Sequence, residues 1–331
     1  AHFGCSSPNF LELEEQGGDG IANSHWDMRV YFEELMVGFV IKDAMKYSTI
    51  TLSFFKDLGF YFPIMSKAES MTWGKDAGCN FLTQKCLTNS IPINTTYFCN
   101  STDNAKGCTY NHRSVGNCLT GTYTNDFEPQ FQYFSGLPRL GSTVKGVDYC
   151  PMIYYFENWI CTDSSLPPLH TALGTHFGNS SRCVLSDRVI QDGYYRSTGY
   201  EPAMCIRMRC LEGVQVQVSM DGTLWIDCPA DGSSANITAP VGFSGTIICP
   251  PAATVCTSDL FYSPTCSPYG SCSACTQISP CGWCTLTNTC QSGTETQSNS
   301  GTCSGSNWAW WSTQCNMNPT TTTTDAPTTT T

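Results

Sequence analysis

Valine alternates with glutamine through "VQVQVS", so that successive side chains of residues 214–219 face opposite sides of an extended chain, as in a half-buried strand. Asp221-Gly222 follows as a turn and "TLWI", residues 223–226, as the returning strand, which predicts a hairpin. Val144–Tyr149, Met152–Phe156 and Thr246–Cys249 are further short β-prone runs, set among prolines, glycines and cysteines from about residue 88 onward. Before that point the spacing changes. Ser48 stands as an N-cap ahead of Ile50, Phe54, Phe55 and Leu58, with Gly59 at the C-terminal cap, and this predicts a short buried helix. The glycine-rich stretch at 17–24 is followed by no Gly-Lys-Ser/Thr, so it reads as a bending loop and not as a phosphate cradle.

Cysteine usage sharpens the picture. The 331 residues contain 22 cysteines, an even number that predicts a disulfide framework formed in an oxidising, extracellular compartment. Asn94, Asn100, Asn179 and Asn236 each open an Asn-X-Ser/Thr acceptor site for N-glycans, in keeping with that compartment. Lys and Arg number 16 against 27 Asp and Glu, a formal net charge of -11, which argues against a nucleic-acid partner or an anionic membrane surface. The longest apolar runs, near Val37–Ile41, fall far short of the roughly 20 residues that a spanning helix requires. Ala1-His2-Phe3 is neither an initiator methionine nor a signal sequence, so an upstream segment is expected.

Eight cysteines crowd the segment from Cys266 to Cys315: Cys266, Cys272, Cys275, Cys281, Cys284, Cys290, Cys303 and Cys315. So small a segment cannot bury a sufficient core unaided, and four disulfides are expected in its place. A zinc ribbon is the weaker reading, because Cys275 and Cys281 are too close and four cysteines are left over. A redox Cys-x-x-Cys lacks its βαβ frame. With these eight removed, fourteen cysteines remain, still an even set. Thr320, Thr321, Thr322, Thr323, Thr324, Thr328, Thr329, Thr330 and Thr331 make up most of a Thr/Pro tail that reads as an extended, O-glycosylated stalk.

Taken alone, a single histidine such as His25 reads as a structural side chain. Its surroundings point elsewhere. "GIANSHWDMRVYFEELM" at 20–36, "DLGFY" at 57–61 and "WGKDAGCNFLTQKC" at 73–86 resemble the leishmanolysin family of zinc metalloendopeptidases. The resemblance continues more loosely through "VDYCPMIYY", "PAMCIRMRC" and "GTIICPPAATVC". It implies that His25 is the third zinc ligand and that Met36 belongs to the methionine turn under the metal of metzincins. The His-Glu-x-x-His that carries the other ligands and the general base is not found in this chain, whose histidines are His2, His25, His112, His170 and His176. Asp19, Asp27, Glu33 and Glu34 are nearby acids, of which Glu33 and Glu34 are expected on a solvated face.

The segment around Cys281-Gly282-Trp283-Cys284 resembles the PSI module of plexins, semaphorins and integrins, a rigid spacer in that family. The expected class is α+β. Residues 1–87 would form the C-terminal lobe of a metzincin catalytic domain, 88–257 a disulfide-rich, mainly antiparallel β domain, 258–316 the PSI-like module and 317–331 the tail. Two functions follow from these expectations. One is the C-terminal part of a secreted or cell-surface zinc metalloendopeptidase, inactive without the N-terminal half that would complete the zinc site, and acting on polypeptide substrates. The other is a structural extracellular glycoprotein, a coat or filament component, that reuses the protease-like fold.

Overall fold

The computed structural model describes residues 2–315 apart from 7–9, 42–44, 101–105, 167–174, 187–189, 192–202, 212, 231, 238–242, 257–259, 263–265, 267–268, 277–280, 294–295 and 311. His170 and the threonine tail lie outside the described residues. The described chain is disulfide-rich and mostly antiparallel β with few helices, consistent with an α+β class. It divides into two compact units, the larger being 1–209 with 214–260 and the smaller 210–213 with 261–331.

Helices of the larger unit fall early in the chain. Helix α1, Met28–Tyr31, is capped by Asp27, whose side chain accepts from the Val30 N–H. Helix α2, Thr49–Asp57, begins at Ser48, whose hydroxyl accepts from the Ile50 N–H, and stops at Gly59 with φ +73°. It is half-buried, not buried as its apolar spacing suggested: Thr51 is enclosed and Phe54 meets Trp26 edge-on at 5.1 Å, whereas Leu58 is exposed. Phe54 and Phe55 are sequence neighbours about 100° apart around the helix, so one packed face cannot take both. Helix α3, Cys79–Thr83, buries Phe81.

These helices pack on an aromatic core. Trp73, 1% exposed, stacks on Phe32 at 4.7 Å and meets Tyr110 edge-on at 4.8 Å, while its indole N–H donates to the Arg29 carbonyl. Beyond residue 88 come two principal sheets. Lys106–Cys108, Ser114–Cys118 and Ile153–Ile160 pair antiparallel with a bulge between Ser114 and Gly116, where a Cβ on Gly116 would lie 2.0 Å from the Tyr154 carbonyl oxygen. A larger sheet runs Ile226–Asp227, Gln215–Ser219, Ala203–Leu211, Ser181–Ser186, Phe243–Ile248 and Ser234–Ile237 in spatial order. The hairpin after Gln215–Ser219 forms as its alternation predicts, with Val218 opposite Ile226, but its turn is wider than two residues. Val144–Tyr149 is not a strand. Gly146, Asp148 and Tyr149 all take left-handed φ values, which curl the segment into turns.

The bridges fall into separate sets. In the larger unit Cys5–Cys79, Cys86–Cys150, Cys99–Cys118, Cys108–Cys183, Cys161–Cys205 and Cys228–Cys249 are joined. Cys210 and Cys256 are also disulfide-bonded. In the smaller unit Cys266–Cys281, Cys272–Cys315, Cys275–Cys290 and Cys284–Cys303 use all eight clustered cysteines among themselves. There Cys281–Cys284 forms the centre of a three-stranded sheet, flanked by Thr289–Ser292 and Trp308–Ala309.

Candidate metal centre

A run of tight turns delivers His25. Gly17, Gly18 and Gly20 have positive φ, and the Ile21 and Ala22 N–H groups both return to the Gly18 carbonyl. The chain then straightens between two neighbours. The His25 carbonyl accepts from the Glu14 N–H at 2.9 Å, and the Trp26 N–H donates to the Met36 carbonyl at 2.9 Å. Through that bond the residue after His25 is tied directly to the methionine singled out in the sequence.

The imidazole is half-buried, and its Nδ1 lies 2.9 Å from Ser24 Oγ and 3.2 Å from the Ile21 carbonyl oxygen. The Ser24 hydroxyl also lies 3.1 Å from the Gly20 carbonyl oxygen and 3.0 Å from that of Ile21. The Ile21 carbonyl can only accept, so it favours a proton on Nδ1. Nε2 makes no hydrogen bond among the described residues. A neutral imidazole with Nδ1–H fixed by a backbone carbonyl and a free Nε2 is the donor state that zinc takes. The residues at this position fit one ligand of such an ion.

Glu33 and Glu34, expected in solvent, are buried at 2% and 0% exposure. They are buried because each meets a full set of donors. Glu34 accepts from Ser48 Oγ and, at 2.6 Å, from Thr51 Oγ1, and Thr51 in turn accepts from the Trp26 indole N–H at 2.8 Å. Glu33 accepts from the Thr72 and Trp73 N–H groups and the Thr72 hydroxyl, and pairs with Lys46 Nζ at 3.0 Å. Adjacent carboxylates thus anchor the Met36 turn in two directions, to the first turn of α2 and to the Thr72-Trp73 segment. Main-chain bonds close the turn's base: Leu35 N–H to the Lys46 carbonyl at 2.9 Å and Lys46 N–H to the Glu33 carbonyl at 2.7 Å.

The other described histidines are engaged elsewhere. His2 contacts the Trp73 carbonyl, His112 the Cys183 carbonyl and His176 the Ser181 hydroxyl. Among the described residues no group of three metal-ligating side chains includes His25. Cys266, Cys281 and Cys290 lie close together, but their sulfurs are in disulfides, which removes both the zinc and the redox reading of the small unit. Asn100, Asn179 and Asn236 are exposed, and Asn94 is half-buried with its Oδ1 accepting from the Thr96 N–H.

With this geometry in hand, comparison with known proteins assigns the class. The family model described as Leishmanolysin matches residues 1–261, and the chain belongs to the leishmanolysin family. That family is one of zinc metalloproteases, which implies zinc. The chain is 34% identical over 273 residues to the leishmanolysin homolog of Crithidia fasciculata, covering 78% of this chain and 40% of that protein. It is 33% identical over 267 residues to leishmanolysin of Leishmania tropica, covering 77% and 39% respectively. Similarity to the leishmanolysin-like peptidase of Caenorhabditis briggsae is 27% over 293 residues, covering 78% and 44%. The chain thus spans about two fifths of the length of these curated relatives. Among the described residues no helix is long and apolar enough to cross a membrane.

Proposed function

We propose that this chain is the C-terminal part of a secreted or cell-surface zinc metalloendopeptidase of the leishmanolysin type, with His25 as the third zinc ligand and Met36 beneath the metal. The single observation that carries the reading is a half-buried imidazole whose Nδ1 faces the Ile21 carbonyl while its Nε2 makes no hydrogen bond among the described residues. Zinc in such a site supplies an activated water for attack on a peptide carbonyl. This chain's part is positional. The Nδ1–H bond orients the ring, the Trp26–Met36 main-chain bond sets the turn beside it, and Glu33 and Glu34 hold that turn against the core.

The sequence holds no His-Glu-x-x-His, so in this reading the other two ligands and the general base come from polypeptide that precedes it, and the 331 residues alone are inactive. The small unit serves as a PSI-like spacer, the threonine tail as an O-glycosylated stalk, and the four Asn-X-Ser/Thr sites as glycan acceptors. Polypeptides are the substrate class. The test is to express the 331 residues alone and joined to the natural preceding sequence, then measure zinc per chain and peptide hydrolysis. Zinc and chelator-sensitive turnover are expected only in the longer chain, and both should be lost with His25→Ala. Turnover by the 331 residues alone, or undiminished zinc binding in the His25→Ala variant of the longer chain, would overturn the proposal.

A further inference from the structure

Glu14, Asp27 and Asp148 come from three distant parts of the sequence, yet each offers a carboxylate oxygen within 4.8 Å of the others. All three are buried, at 0%, 1% and 7% exposure. Among the described residues one cation faces them: Arg29, whose Nε lies 3.5 Å from Asp148 Oδ2 while its Nη1 and Nη2 donate to the carbonyls of Phe81 and Leu82. The Gln16 and Met28 N–H groups donate to Glu14, and the Val30 N–H to Asp27 Oδ1. Asp148 Oδ1, by contrast, is buried with no hydrogen-bond partner. A buried carboxylate oxygen left without a donor is costly, and three ionised carboxylates against one guanidinium would leave two negative charges uncompensated inside the fold.

We propose that Glu14, Asp27 and Asp148 form a second metal site, distinct from the one at His25, that takes a single structural calcium ion. A divalent cation together with Arg29 would balance the three carboxylates and give Asp148 Oδ1 the partner it lacks. The donors are all oxygen, which selects a hard cation over zinc. Calcium accepts irregular sets of carboxylates and carbonyls, whereas magnesium keeps several waters in a strict octahedron, for which an enclosed site has little room. The ion would join the N-terminal arm, the cap of α1 and the turn around Gly146 and Tyr149. Asp27 is two residues from His25, so the site would also stiffen the segment that presents the imidazole.

The inference stands on these carboxylates alone and does not depend on zinc binding at His25. The test uses the full chain freed of divalent ions by chelation and buffer exchange, titrated with CaCl2 and followed by calorimetry, with Tb3+ as a luminescent probe excited through tryptophan. One calcium per chain is expected, with an apparent Kd at or below about 10⁻³ M. The unfolding midpoint should rise by about 5–10 °C at a hundredfold excess over Kd. Asp148→Asn keeps the side chain's size and removes one of the crowded charges, so the ion-free variant should fold while its calcium affinity falls at least about tenfold. A titration with no calcium-dependent shift would overturn the proposal, and the carboxylates would then be sharing protons. Calcium binding undiminished in the Asp148→Asn variant places the ion elsewhere and overturns it equally.

Discussion

Replacing Glu34 with alanine tests how the turn that carries Met36 is held. Its carboxylate accepts from Ser48 Oγ and Thr51 Oγ1, two buried donors with no water to turn to. Hydrogen bonds to a charged acceptor contribute about 1.5–3 kcal/mol each, so Glu34→Ala should cost about 3–6 kcal/mol. In a unit of this size that corresponds to a midpoint lowered by about 6–20 °C. Glu34→Gln keeps the volume and one acceptor oxygen but turns an amide N–H toward the second donor, so about half the loss is expected. The assay is thermal unfolding under non-reducing conditions, with calorimetry separating the transition of the larger unit. Thr51→Val isolates the chain of bonds from the Trp26 indole through Thr51 to Glu34, and a double-mutant cycle with Glu34→Gln should show coupling of about 1–3 kcal/mol. Additivity within about 0.5 kcal/mol, or a Glu34→Ala loss under about 1 kcal/mol, would refute the argument.

Other outcomes follow from the same structure. Removing the Cys86–Cys150 bridge, which spans 64 positions, by paired alanine substitution should lower stability by about 4 kcal/mol through the entropy returned to the unfolded chain, read by denaturant titration. Burial lowers the pKa of His112, despite its bond to the Cys183 carbonyl, so its contribution is complete above the ordinary histidine value of 6.5 and declines as pH falls below it. The stability difference between the native chain and a His112→Gln variant should change in favour of the variant as pH falls from 7.5 to 5.5, and a difference that stays constant across that range would contradict it. In the smaller unit a Cβ on Gly282 would lie 2.3 Å from the Trp308 ring, so Gly282→Ala should cost that unit about 1–3 kcal/mol and leave the larger unit's transition in place.

What could be read from the chain depended on how locally each feature is determined. The Ser48 cap, the Gly59 stop and the valine alternation act over a few residues, and helix α2 and the strand Gln215–Ser219 follow from them. Val144–Tyr149 has strand-like composition, yet the left-handed conformations at Asp148 and Tyr149 arise in a fold that composition does not describe. Glu33 and Glu34 show the limit most clearly. Their donors lie 13 to 40 positions away, so nothing adjacent marks them as buried. The zinc-ligand reading of His25 came from resemblance to a family and not from its neighbours, whose contacts with Nδ1 depend on how the 17–24 loop turns. The clustering of Glu14 and Asp27 with Asp148, more than a hundred positions away, carried no sequence signal.

The paired main-chain bonds at Leu35 and Lys46 have a consequence for engineering. The chain between Leu35 and Lys46 starts and ends at that pair of bonds, whatever its length. Lengthening such a closed excursion costs only about 0.6 kcal/mol per doubling. Val40, 86% exposed, is therefore a natural port for grafting a foreign peptide, because Met36 and both anchoring glutamates precede the insertion in the chain.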